Sequence, residues 1–259
     1  MKLAARAPAK VNWTLEVLGR RSDGYHEIRT ILQTVDLWDT LSMEAADSLP
    51  LGYQGDCPAP AAEDLVLRAA QSLQGATGCR AGARLHLRKV IAVAAGLGGG
   101  SSDAAAVLRG LNHLWQVDLR REELAVVGAQ LGSDVPFFVY GGTALAEGRG
   151  ERITPLPDVA RTWLVLLVPP LTLPAKTAAM YGRLRTEDYS DGRATSRLVE
   201  ELRRGSVPRD DLLSNVFAGA ALAAYPGLGR YWQALAMASG RRVHLAGSGP
   251  AIFALAADE

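Results

Sequence analysis

Ten residues in the middle of the chain, Ala94-Ala95-Gly96-Leu97-Gly98-Gly99-Gly100-Ser101-Ser102-Asp103, place four glycines and two serines directly ahead of a helical pattern. Glycine lets the backbone approach a ligand closely, because no Cβ intervenes and positive φ costs little. Behind the glycines, Ala104, Val107, Leu108, Leu111 and Leu114 recur at the spacing of one helix face. Ser101 or Ser102 is expected to cap that helix. Its free amide groups and positive dipole end would then face an anion. The segment reads as an anion site, with a nucleotide as its first candidate; the competing reading is a glycine-rich surface turn before a capped helix.

Three familiar phosphate loops fit the spelling poorly. A P-loop needs Gly-Lys-Ser/Thr after four intervening residues, and no lysine lies between Gly96 and Asp103. The dinucleotide fingerprint needs glycine or alanine where Ser101 stands, and it belongs to an N-terminal strand. The protein-kinase glycine loop joins two strands and opens no helix.

At 259 residues the chain is long enough for one large domain or two small ones. A net charge of +1, with basic residues never in runs longer than a pair, gives no electrostatic case for nucleic acid. Cys57 and Cys79 have neither CxxC nor Cys/His spacing, which argues against a metal site or a disulfide framework and for a reducing cytoplasm. Met1 to Pro8 lacks the apolar stretch of a signal peptide. The longest apolar run, Trp163 to Leu173, is shorter than the roughly 20 residues a membrane span needs and contains two prolines. A soluble cytoplasmic protein without membrane partners is expected.

Alternation predicts strands over 40–45 and 84–88, with a helix on Leu65, Ala69 and Leu73 between them. A second helix is expected over Leu119–Leu131, then a strand over Val139–Glu147 broken by Gly141-Gly142. Pro155-Leu156-Pro157 marks a boundary, since two prolines resist both helix and ladder. Beyond it come a strand at Trp163–Val168 and helices near Lys176–Arg185, Ser196–Arg204, Leu213–Tyr225 and Leu228–Ser239. A polar, mobile loop is expected over Glu187–Thr195. A hairpin-like pair, Arg242–Ala246 and Ala251–Ala256, closes the chain. The class is α+β in two domains, 1–157 and 158–259.

Four clusters stand outside the core pattern. Lys10 and Asn12 share one face of an early strand in Pro8-Ala9-Lys10-Val11-Asn12, where a lone lysine is ordinarily solvated. Asp23-Gly24-Tyr25-His26 presents an aromatic ring and an imidazole on what reads equally as a hairpin tip. Asp134, in Ser133-Asp134-Val135-Pro136-Phe137-Phe138, is either a turn or capping residue or a functional acid at a helix-to-strand junction. Gly247-Ser248-Gly249 is a tight turn or a second backbone surface near a ligand.

In this order the clusters resemble the GHMP superfamily, the kinases named for galactose, homoserine, mevalonate and phosphomevalonate. Pro8–Asn12 and Gly19-Arg20-Arg21-Ser22-Asp23-Gly24-Tyr25-His26 narrow the resemblance to the 4-diphosphocytidyl-2-C-methyl-D-erythritol kinase family of the non-mevalonate isoprenoid pathway. The resemblance spans nearly the whole chain; the glycine loop marks the superfamily and Asp-Gly-Tyr-His the family. It implies a two-domain GHMP-kinase fold, with an N-terminal ATP-binding domain like ribosomal protein S5 domain 2 and a ferredoxin-like C-terminal domain. It implies ATP and Mg²⁺, no dedicated metal cage, a cytidine diphosphate-linked methylerythritol as small-molecule substrate, and a monomer or homodimer.

By the same resemblance, Asp134 accepts or orients the hydroxyl proton and Lys10 stabilises the developing charge. Gly96, Leu97, Gly98, Gly99, Gly100, Ser101 and Ser102 wrap the α- and β-phosphates, and Lys89 on the strand leading in lies near the adenine. Asn12, Tyr25 and His26 form the cytidyl pocket, Tyr25 stacking on the base and His26 reading its edge. Thr177 and Tyr181 close over the cytosine, with Tyr181 as the other aromatic face. Gly247 and Ser248 contact the methylerythritol end.

Four departures from the family pattern stand out. Ala92 replaces a proline before the loop, Asp64 an asparagine near the adenine, and Asn215-Val216 an Asn-Asp pair. The chain reaches Glu259 where relatives carry a further helix. Other readings are a homoserine or mevalonate kinase, which would have no use for Tyr25-His26 or Tyr181, and a non-catalytic nucleotide-binding regulator, which would have no use for the Lys10/Asp134 pair.

Overall fold

The structure, a computed structural model, describes residues 2–55 and 64–257; Cys57 and Glu259 lie outside the described residues. Two long strands, β1 (Lys2–Arg20) and β2 (His26–Ala46), begin the chain. They are joined by a turn in which the Arg21 N–H donates to the Tyr25 carbonyl at 2.8 Å. Then follow β3 (Leu51–Gln54), α1 (Leu65–Thr77), β4 (Gly82–Arg88), α2 (Gly99–Leu114), α3 (Arg121–Leu131), α4 (Val135–Tyr140), β5 (Thr143–Gly148) and β6 (Arg152–Pro155). The remainder is β7 (Trp163–Leu167), α5 (Lys176–Tyr181), α6 (Arg193–Arg203), β8 (Ser214–Asn215), α7 (Ala218–Ala224), α8 (Leu228–Ser239), β9 (Val243–Leu245) and β10 (Ile252–Ala256). The class is α+β, as the sequence predicts.

The chain forms two compact units interleaved in sequence. One draws on residues up to Ala9, on Thr34–Val93 and on Gly98–Gly141; the other on Lys10–Gln33, Ala94–Leu97 and the described residues from Gly142 onward. In the first unit β2 and β4 are antiparallel, with Leu41 opposite Leu87 and Met43 opposite Leu85. All four side chains are buried, which is why the alternation over 40–45 and 84–88 is so regular. Helices α1 to α4 pack on one another, and Val66, Ala69, Leu73, Val107, Leu108, Phe137 and Phe138 fill the core. In the second unit β2 pairs with β5 over Ile28–Gln33, β5 pairs with β6, and β8 runs parallel to β1 at Thr14–Leu15. A separate antiparallel sheet has the order β7-β10-β9. Met180, Phe217, Tyr225, Leu228, Leu245 and Ile252 share its hydrophobic core.

Five local expectations are corrected. Val139 and Tyr140 are helical, so the strand begins only at Thr143. Pro136 in the first turn of α4 presets helical φ, and a short apolar run cannot reveal its period. Ser101 and Ser102 do not cap α2; Gly98 does, at φ 74°, and both serines lie inside the helix. The helix expected from Leu213 starts at Ala218, because Ser214 and Asn215 pair with β1 and the Asn215 Oδ1 accepts the Phe217 N–H at 2.9 Å. Glu187–Thr195 contains a 3₁₀ turn at Thr186–Asp188 and the start of α6. Pro155 does not interrupt the ladder; it ends β6 opposite Ala144, the kind of edge position at which a missing N–H is tolerated.

Candidate functional site

In the second unit the site begins on β1. Lys10 and Asn12 face the same side, as period-2 geometry requires, and the Lys10 ammonium donates to Asn12 Oδ1 at 2.9 Å. Asn12 Nδ2 in turn donates to Thr30 Oγ1 at 2.8 Å. Lys10 is only 5% exposed, unlike the ordinary solvated strand lysine. Its backbone N–H donates to the Leu97 carbonyl at 2.9 Å, tying the first part of the glycine segment to β1. Gly96 and Gly247 meet here as well. A Cβ on Gly96, at φ 92°, would lie 2.3 Å from the Ala246 carbonyl oxygen, so only glycine fits. A Cβ on Gly247 would lie 3.1 Å from the Lys10 ammonium. Gly247-Ser248 is therefore a turn and also a backbone surface packed beside Lys10.

Side chains the sequence reading did not assign hold this turn. Asn215 Nδ2 donates to the carbonyls of Leu245 and Gly247 at 3.0 and 2.8 Å, which gives a structural account of an asparagine in the Asn215-Val216 departure. Tyr225 donates its hydroxyl to the Ser248 carbonyl at 3.2 Å. Lys176 reaches the carbonyls of Ala94 and Gly249 at 3.0 and 3.2 Å. Each of these bonds joins a side chain to backbone far away in the sequence, so nothing in the local spacing could single them out.

The aromatic group also lies in the second unit. The His26 imidazole is stacked on Tyr181, with centroids 4.7 Å apart and planes at 21°. Tyr181 meets Phe217 edge-on at 4.9 Å, and Tyr189 approaches the edge of His26 at 6.1 Å. Thr177 lies on α5 one turn before Tyr181. Burial, with Arg20 nearby, holds the His26 pKa below the usual histidine range, which keeps the ring neutral at pH 7 with one donor and one acceptor nitrogen. Tyr25 is 53% exposed, and the Arg149 guanidinium lies 4.8 Å from its ring centroid. The Tyr189 segment is fastened by buried Glu16, which accepts from Ser190 Oγ at 2.9 Å and from the Thr195 N–H at 2.7 Å.

In the first unit α2 opens on three glycine-loop residues, Gly98, Gly99 and Gly100, and its first turn has no side-chain cap. The leading amides of a helix have no partner inside it, and a start without a side-chain cap suits an anion. A Cβ on Gly132 would lie 3.9 Å from Ser101 Oγ, so this serine abuts the turn that carries Asp134. Asp134 is the N-cap residue of α4 without a side-chain capping bond. Lys89 lies just past β4, its ammonium 2.5 Å from Asp39 Oδ2 and 2.7 Å from Asp103 Oδ2. Asp64, the departure at the adenine position, is the N-cap of α1 and accepts the Val66 N–H at 2.8 Å and a bond from the Tyr53 hydroxyl. Among the described residues no group of three or more His, Cys, Asp or Glu side chains could hold a metal, and no helix is long and apolar enough to cross a membrane. Lys10, Asn12, Gly96, Leu97 and Gly247 thus gather in one unit, as do His26 and Tyr181, while Lys89, Gly98–Ser102 and Asp134 belong to the other.

Residues 64–142 match the model of the GHMP kinases N terminal domain. The chain is 45% identical to the 4-diphosphocytidyl-2-C-methyl-D-erythritol kinase of Dehalococcoides mccartyi over 260 residues, 99% of this chain and 90% of the relative. It is 42% identical to the enzyme of the same name from Brevibacillus brevis, over 100% of this chain and 89% of the relative. A crystal structure of 4-(cytidine 5'-diphospho)-2C-methyl-D-erythritol kinase superposes with a TM-score of 0.81 at 38% identity, covering 98% of this chain and 90% of that one. Homoserine kinase from Cytophaga hutchinsonii, at 18% identity and a TM-score of 0.67 over 100% of this chain and 86% of that one, shares the fold alone. With the GHMP-kinase fold and relatives of this identity over nearly its whole length, the chain belongs to the 4-diphosphocytidyl-2-C-methyl-D-erythritol kinase family.

Proposed function

We propose that this chain is a small-molecule kinase that transfers the γ-phosphoryl group of ATP to the 2-hydroxyl of 4-diphosphocytidyl-2-C-methyl-D-erythritol, in the cytoplasmic non-mevalonate route to isoprenoids. The observation that carries the acceptor assignment is the stack of His26, from the Asp-Gly-Tyr-His segment, on Tyr181 at the end of α5. A homoserine or mevalonate kinase has no base to place against these rings, whereas a cytosine needs both a π-face and an edge-reading imidazole. The substrate's hydroxyl oxygen attacks the γ-phosphorus, the bond to the β,γ-bridging oxygen breaks, and ADP leaves. Asp134 takes or orients the hydroxyl proton, and Lys10, preset by Asn12, offsets the charge that develops.

Gly96–Ser102 cradle the α- and β-phosphates through backbone amides and the first turn of α2. Asn12, Tyr25, His26, Thr177 and Tyr181 bind the cytidyl group, and Gly247 and Ser248 the methylerythritol end. Residues 1–157 serve as the ATP-binding domain, to which Asn12, Tyr25 and His26 add their part of the cytidyl pocket, and 158–259 as the substrate domain, in a monomer or homodimer. Mg²⁺ would fit this site as a companion of the nucleotide: among the described residues no side-chain cage is present, and the phosphates would be its natural partners. When bound, it neutralises phosphate charge.

The test is ADP release with the cytidyl substrate, homoserine and mevalonate offered separately at equal concentration. ADP release with the cytidyl substrate alone is the expected result, and equal or faster turnover of either other alcohol would overturn the assignment. Asp134→Ala should abolish turnover while leaving nucleotide binding intact; a wild-type rate would remove Asp134 from the mechanism.

A further inference from the structure

Directly beneath the start of α2 lie three charged groups that solvent scarcely reaches. Lys89, Asp39 and Asp103 have side chains 4%, 0% and 2% exposed. The Lys89 ammonium bridges Asp39 Oδ2 at 2.5 Å and Asp103 Oδ2 at 2.7 Å. Asp39 spends its other oxygen on the backbone, accepting the N–H groups of Val90 at 2.5 Å and Ile91 at 2.9 Å. A Cβ on Gly99 would lie 3.3 Å from the ammonium and 3.0 Å from Ile91 Cγ2. The ammonium is therefore packed under the first helical residue of the glycine loop, held by one carboxylate from β2 and one from the second turn of α2.

Such a lysine is poorly suited to read a nucleobase. Two of its three donors are committed to buried carboxylates, and swinging it toward a ligand would strand both, a far larger penalty than one hydrogen bond to a base returns. We propose that Lys89 is a positioning residue: with Asp39 and Asp103 it fixes the backbone path from β4 into the first turn of α2, and so aims the amides that meet the nucleotide's phosphates. It does not discriminate the base. This rests on the reading of Gly98–Ser102 as the phosphate loop, and it separates Lys89 from the adenine contact that the family resemblance implies.

The experiment is an equilibrium titration of the full chain with the fluorescent nucleotides mant-ADP and mant-GDP, which needs no acceptor substrate. Wild type is compared with Lys89→Met, Asp39→Asn, Asp103→Asn and the double variant Lys89→Met/Asp103→Asn. In every single variant both nucleotides should weaken by a common factor of about tenfold, the scale of one lost charge-assisted hydrogen bond. The ADP-to-GDP affinity ratio should stay at the wild-type value. Collapse of that ratio in Lys89→Met, with the ratio kept in the two asparagine variants, would overturn the proposal, as would wild-type affinity in Asp39→Asn. Should Lys89→Met fail to fold with two stranded carboxylates, the asparagine variants and the double variant carry the same comparison. A wild-type chain that binds neither nucleotide would instead strike the phosphate-loop reading, and one that binds both but fails to phosphorylate the cytidyl substrate would strike the acceptor assignment alone.

Discussion

The His26 imidazole lies against the Tyr181 ring, planes 21° apart and centroids at 4.7 Å, joining the turn after β1 to the end of α5. Stacking on an aromatic face is worth about 1–3 kcal/mol per base, so Tyr181→Ala should raise KM for the cytidyl substrate by about tenfold to a hundredfold with kcat nearly unchanged. His26→Ala should likewise act on KM. The His26 pKa lies below its ordinary value because burial penalises the imidazolium. The neutral form proposed to read the base therefore prevails at pH 7 and is lost only at pH below the usual histidine range. KM measured from pH 5 to 8 should be flat within and above that range and climb below it, and the climb should vanish in His26→Gln. A flat profile in wild type would remove His26 from base recognition.

Arg149, on the turn between β5 and β6, backs the Tyr25 ring at 4.8 Å. One face of the ring is thereby occupied by a cation, and in the proposed cytidyl pocket the base would take the other. Cation–π contacts at exposed sites contribute about 0.5–1 kcal/mol, so Arg149→Ala should raise KM for the cytidyl substrate about two- to fivefold. Arg149→Lys should restore part of it, because a lysine ammonium still attracts the ring face but cannot stack as a plane. An unchanged KM in Arg149→Ala would show that Tyr25 needs no support.

Regular alternation at Leu41, Met43, Leu85 and Leu87 was readable because each of these strands buries one face. The helix behind the glycine loop was readable because its larger apolar residues, Val107, Leu108, Leu111 and Leu114, keep a helical spacing, although Ser102 to Leu108 are all buried. The α4 run Val135-Pro136-Phe137-Phe138-Val139 was not, since every one of these side chains is buried and a one-sided period never shows. Single residues such as Lys10, His26 and Asp134 stand out in the sequence only as members of an ordered set of motifs. Asn215, Lys176, Arg149 and Glu16 act through contacts with distant backbone or rings, and no local pattern encodes a partner 30 or more positions away.

Asn215 should matter to turnover although it is placed in no catalytic role. Its two bonds hold the Leu245 and Gly247 carbonyls, and a Cβ on Gly247 would touch the Lys10 ammonium at 3.1 Å. Asn215→Ala leaves both carbonyls without this donor, at a cost of about 1–3 kcal/mol for each that stays buried. A Tm lower by several degrees is expected, together with a loss in kcat larger than any change in KM for ATP. Asn215→Asp, which keeps the shape and loses the donor, should behave similarly; full activity in that variant would show that the turn is held without these bonds.

Asp103 makes folding stability depend on pH. Burial pushes its carboxyl up to about 7 against the pull of Lys89, with Asp39 adding to the rise, and its Oδ1 has no hydrogen-bond partner among the described residues. A carboxyl whose folded pKa exceeds its unfolded value of about 3.9 favours the folded state least where it must be ionised. Below about pH 4 both states are protonated and this group costs nothing. Between about 4 and 7 the unfolded chain releases the proton while the folded chain keeps it, so stability falls as pH rises; above about 7 the loss is complete and constant. Asp103→Asn removes that dependence, replacing the titrating acceptor of Lys89 with a neutral and weaker one. The Tm of the variant minus that of wild type should therefore increase from pH 4.5 to about 7 and level off beyond it. A difference that stays constant across the range, or that decreases, would show that Asp103 holds its charge as firmly in the folded chain as in the unfolded one.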